Sequence, residues 1–123
     1  IVDYERIGDH ANNIAGYLQL MRERKLTFSE EGMDEIAPLF LKVINILEDA
    51  HGCMLNAKAH PLSAVAEHEQ EVDDLVDLYE NNHIRRLSAG KCSAEVGMFY
   101  VEALTDLERV SDHALNIAET SEI

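Results

Sequence analysis

The chain has 123 residues, with 10 basic against 24 acidic side chains and a formal charge of −14 at pH 7. That length holds one core and not two, so residues 1–123 read as a single domain. The charge repels nucleic-acid phosphates and anionic lipid headgroups, which excludes nucleic acid as a partner and favours cations or basic protein surfaces.

The chain opens at Ile1, inside a motif and without a signal-peptide pattern, and is read as a fragment of a longer protein. Gly and Pro are scarce and apolar residues recur every three or four positions, so the spacing predicts helix throughout. The first helix is expected from Ile1 to about Lys25, with Ile7, Ala11, Ile14, Leu18 and Met21 on one stripe. Thr27 and Glu30 are spaced as a capping box ahead of the second helix, which runs to about Lys58 on Ile36, Leu39, Phe40, Val43, Ile46, Leu47 and Met54. Pro38 should kink that helix or mark its true start. His60-Pro61 breaks the chain. The third helix covers Leu62 to Ser88 and stops at Ala89-Gly90, a left-handed terminator. Ser93 caps the fourth, which runs to about Thr120 and carries a buried arc of Leu107, Val110, Ala114, Ile117 and Ala118. Short connections make consecutive helices antiparallel, so the expected fold is an all-α, up-down four-helix bundle. Met54, Met98, Phe99 and Tyr100 are assigned to its core, and Cys53 and Cys92 to packing thiols.

Residues 3–15 read DYERIGDHANNIA and residues 106–118 read DLERVSDHALNIA, nine identities in thirteen positions. This is an internal duplication. Each copy sets two carboxylates one turn apart on one helical face: Glu5 with Asp9, and Glu108 with Asp112. Such like charges repel by a few tenths of a kcal/mol when exposed, and more when buried. A hard cation offsets that repulsion through carboxylate oxygens, whereas a solvated acidic edge would lean on Arg6 and Arg109. Counting about 20 residues back from the turns puts both motifs at one level, roughly 30 Å from the end, on helices taken as parallel. The same count on the third helix lands on Glu69 and Asp73, a third acidic pair. Glu48, Asp49 and His51 fall at that height on the second helix. One acidic layer fed by several helices is the expected arrangement, open to solvent because Glu108 and Asp112 flank the apolar arc.

Two other patterns carry less. Glu48-x-x-His51 and Glu80-x-x-His83 resemble di-iron ligand pairs, but their levels differ by about 12 Å, too far for one site. His10 and His113 are read as exposed helix-edge residues, or as outer partners of the motif. Asn13 and Asn116 reach either a neighbouring backbone or a motif carboxylate. Gly8 and Ser111 are taken to keep the motif small for close packing. No nucleophile–base pair or phosphate-cradling loop occurs, so no enzyme activity is expected.

The segments ERIGDHANNIA (5–15), ERVSDHALNIA (108–118) and EQEVDDL (69–75) resemble the PhoU family. Residues 83–119 are similar to the PhoU-like C-terminal domain of bacterial sodium-dependent phosphate cotransporters. The resemblance implies a six-helix family domain here truncated at its N-terminus. It also implies metal ions, iron, zinc or magnesium, held by Glu5, Asp9, Glu69, Asp73, Glu108 and Asp112. It implies regulation of phosphate uptake at the cytoplasmic face of the membrane, with a transporter membrane domain or a signalling protein as partner and a homodimer as one assembly. The alternative is a stand-alone adaptor of a phosphate transporter and its sensor kinase.

Overall fold

The computed structural model describes residues 2–56 and 61–121. Its four helices are α1 (Val2–Glu23), α2 (Glu30–Leu55), α3 (Leu62–Ser88) and α4 (Ala94–Ser121), and there is no strand among the described residues. The expected ends at Ile1 and Lys58, and the break at His60, lie outside the described residues. Among the described residues, no helix is long and apolar enough to cross a membrane.

Local chemistry explains the ends. Ser29, not Thr27, caps α2: its Oγ accepts from the Gly32 amide at 3.1 Å. The Thr27–Glu30 box fails because the chain turns helical two residues later than that spacing assumes. Pro38 is the ninth residue of a continuous α2, so it does not mark the start. Ser93 caps α4 through the Val96 amide at 3.2 Å. α3 ends as expected on Gly90 at φ 71, where the Lys91 amide reaches Arg86 O and the Gly90 amide reaches Leu87 O. α1 ends on the same motif, with Lys25 at φ 57 and the Leu26 amide on Met21 O. A lysine there accepts a conformation that glycine adopts without cost.

The helices run up-down-up-down, yet they do not form a square. α4 is the hub, packed against α1, α2 and α3, while α2 also packs on α3 and the α1 backbone comes close to that of α4 alone. The core is accordingly built from α2, α3 and α4 around Leu39, Val43, Ile46, Val65, Val72, Val76, Leu104, Leu107, Val110 and Ala114, with α1 adding chiefly Ile14. Each such buried Val, Leu or Ile side chain contributes about 1.5–3 kcal/mol relative to exposure. All five residues of the expected α4 arc are buried. Between α1 and α2 lies an apolar groove floored by Ala103 and Leu107, so Leu18 and Phe40 of the apolar stripes stay exposed, as does Leu41 beside them. Met54 and Met98 are also exposed, against expectation, whereas Phe99 and Tyr100 are buried. Cys53 is buried and Cys92 partly so.

Candidate metal centre

The two motif copies meet where α1 crosses α4. These helices are antiparallel, as the first and fourth of an up-down series must be, and the expectation of parallel helices is corrected. The expected common level holds, because it depends only on distance from the turns. His10 Nδ1 lies 2.8 Å from Asp106 Oδ1, and His113 Nδ1 lies 3.0 Å from Asp3 Oδ1. Asn13 donates to Asp106 and Asn116 to Asp3, each at 3.4 Å. The two imidazoles stack with centroids 5.6 Å apart. Each copy therefore clasps the leading aspartate of the other. The bond from His113 holds the Asp3 carboxyl below the usual range.

The histidines are thus partly buried, not exposed edges, and Asn13 and Asn116 bind carboxylates, not backbone. Asp3 and Asp106 were missed as functional positions, although their identity in both copies and their seven-residue lead over His10 and His113 put them on the same face. Ser111 is fully buried and donates to Glu108 O at 2.7 Å, so close packing explains it. Gly8 has nothing within 4 Å of where a Cβ would be, so packing does not explain it.

On the other side of α4, facing α3, ligand atoms of Glu69, Asp73 and Asp112 all lie within 4.8 Å of one another. The i, i+4 spacing of Glu69 and Asp73 puts both on the α3 face that meets α4. Burial raises the Glu69 carboxyl, and hydrogen bonds with Asp112 and Asp73 add to the rise. Burial also raises Asp73, with Asp112, Asp74 and Asp77 adding charge repulsion. Glu108, one turn before Asp112 on α4, is raised by burial and then by repulsion from Asp73 and Asp112. One oxygen, Asp73 Oδ1, is buried with no hydrogen-bond partner. A buried carboxylate oxygen without a donor is costly unless a cation meets it.

Glu5 and Asp9 do not join this cluster. Both are exposed on α1, and no helix faces them as α3 faces the matched Glu108 and Asp112. Rotation about the helix axis, which level alone does not specify, separates them. Glu48 and His51 stay outside it too: His51 Nδ1 pairs with the Tyr4 hydroxyl at 3.0 Å. The Glu48–His51 and Glu80–His83 pairs form no common ligand set among the described residues. The donor set is oxygen only, since the motif imidazoles are committed to Asp106 and Asp3. Such a set, with one orphaned oxygen and mutually destabilised charges, fits a hard cation.

A helical bundle with a carboxylate cluster between paired acidic helices is a class shared by many ion-binding domains. The PhoU domain family matches residues 36–121, and the chain belongs to that family. It is 29 % identical over 117 residues to the phosphate-specific transport system accessory protein PhoU homolog 1 of Thermotoga maritima, covering 95 % of this chain and 50 % of that protein. It is 29 % identical to the PhoU homolog of Pseudomonas putida, covering 97 % of this chain and 46 % of that one, and 28 % identical to the Pseudomonas aeruginosa homolog. The chain thus spans about half the length of these relatives. No solved structure gives a significant match.

Proposed function

We propose that the chain is a regulatory, non-enzymatic accessory domain of phosphate transport that binds a hard metal ion through Glu69, Asp73 and Asp112, with Glu108 alongside. The observation that carries the metal reading is the buried Asp73 oxygen without a donor, inside three converging carboxylates. An oxygen-only set favours magnesium or iron over zinc, which more often takes nitrogen or sulfur. Glu5 and Asp9 are then a matching half-site that awaits a facing acidic helix. The relatives are named as transport-system accessory proteins, which supports the stand-alone adaptor reading over a cotransporter tail. The partner in that reading is a transporter or signalling protein at the cytoplasmic face of the membrane.

The test is calorimetry and thermal melting of chelator-treated protein with magnesium, iron or zinc. A cation bound only by the folded state raises the melting temperature, by about 2.7 kcal/mol of stability at a hundredfold excess over Kd. Asp73→Asn is expected to abolish that rise. No rise with any of the three ions ends the metal reading.

A further inference from the structure

At the opposite end of the bundle from the carboxylate cluster, α3 closes on its two arginines. A cleft of about 420 Å³ opens there, lined by Glu31, Glu35, Asn82, Arg85, Arg86 and Lys91. Three of the chain's ten basic residues meet in this one place, on a molecule whose net charge is −14. The Arg86 side chain is only 7 % exposed, and its Nη2 donates to Glu35 Oε1 at 2.8 Å. Tyr100 and Asn82 also donate to Glu35, at 2.6 and 2.8 Å. The ring of Tyr100 lies under the Arg86 guanidinium, with the charge centre 5.4 Å from the ring centroid. These contacts hold the guanidinium in place, and Glu35 neutralises it.

The remaining charges are not matched. Arg85 is held by the Asn82 side-chain oxygen, and among the described residues neither Arg85 nor Lys91 has a carboxylate partner. Glu31 stands 3.9 Å from Arg86 Nη1 with its side chain 65 % exposed, a loose contact and not a closed pair. The Gly90 turn carries Lys91 back over the end of α3, beside both arginines. A cleft with one rigid buried guanidinium, two unmatched cations and a displaceable carboxylate has the donor set for a tetrahedral oxyanion.

We infer that this cleft binds a small oxyanion, inorganic phosphate or sulfate, between Arg85, Arg86 and Lys91, with Glu31 as the internal carboxylate that it displaces. The site is separate from the carboxylate cluster and does not depend on a metal there. Arg85 and Lys91 supply the attraction, Arg86 supplies a fixed fork, and Glu31 sets the affinity by competing for the same guanidinium.

The full chain, kept in chelator so that metal plays no part, is titrated with sodium phosphate and followed by thermal melting. Chloride at matched ionic strength is the control, because salt alone relieves repulsion in so acidic a molecule. At tenfold over Kd, phosphate is expected to raise the melting temperature by about 3–6 °C over the chloride control, and sulfate is expected to do the same. R85Q/K91Q changes only exposed side chains and should abolish the difference while melting normally in chloride. E31Q should tighten phosphate binding about two- to fivefold. Equal melting in phosphate, sulfate and chloride overturns the inference, as does a phosphate shift that survives in R85Q/K91Q.

Discussion

His10 on α1 lies 2.8 Å from Asp106 on α4, and the same two positions of the repeat return the contact in reverse as His113 and Asp3 at 3.0 Å. A duplicated helix that packs antiparallel on its own copy about the centre of the motif makes the contacts of that motif twice, so one pair of residue types supplies two bonds. The two bonds are nevertheless unequal. Asp106 has a side chain 4 % exposed, and that of Asp3 is 30 % exposed.

That inequality sets the first expectation. Asp106→Ala leaves His10 and Asn13 without their acceptor in a buried place and should cost about 2–3 kcal/mol. Asp3→Ala breaks the matched bonds nearer solvent and should cost about 1 kcal/mol or less. Urea unfolding of both variants checks this, and equal losses would contradict the buried clasp.

The carboxylate cluster makes stability depend on pH in an unusual direction. Burial, then the hydrogen bonds with Asp112 and Asp73, push Glu69 up to about 8 from an ordinary 4.5. The folded state therefore binds its proton more tightly than the unfolded state. The contribution is fully present below 4.5 and is lost as pH rises through about 8. His83 acts oppositely: burial and Arg86 lower it from 6.5, so it withdraws stability as pH falls. The difference between the wild type and Glu69→Gln isolates the cluster. Without metal, the wild type should lose about 1–2 kcal/mol relative to Glu69→Gln between about pH 5 and pH 8. A bound cation should remove that dependence.

Lys25 ends α1 at φ 57, where a Cβ is strained. Lys25→Gly should stabilise the chain by about 0.5–1 kcal/mol, less whatever freedom glycine adds to the unfolded state. Thermal melting checks the sign.

Two glycines separate packing from composition. A Cβ at Gly97 would fall 2.6 Å from His83 Cε1, and that ring is buried against Tyr100 at 5.5 Å between centroids. Gly97→Ala should cost about 2–3 kcal/mol through forced movement of the ring. A Cβ at Gly8 meets nothing, so Gly8→Ala should stabilise by about 0.5–1 kcal/mol through helix propensity. The opposite ranking by circular dichroism melting would overturn both readings.

The sequence by itself determined what depends on short spans of chain. The periodicity marked four helices, Gly90 marked the end of α3 and Ser93 the start of α4, and the thirteen-residue repeat located the motif. Distance along a helix also follows from counting, at about 1.5 Å per residue, so the common level of the acidic groups was legible without coordinates. Their direction around each axis was not. Each residue turns the side chain by about 100°, and which face meets a neighbour depends on how the helices pack. Tertiary structure alone decided that α4 is the hub and that the α1 backbone packs closely on it alone, reaching α2 only through side chains such as Tyr4. It decided that Glu69, Asp73 and Asp112 converge while Glu5 and Asp9 face away, and that the histidines bind aspartates of the other copy. The repeated motif was readable in one dimension, and the roles of its residues were set by rotation and by contacts between residues about a hundred positions apart.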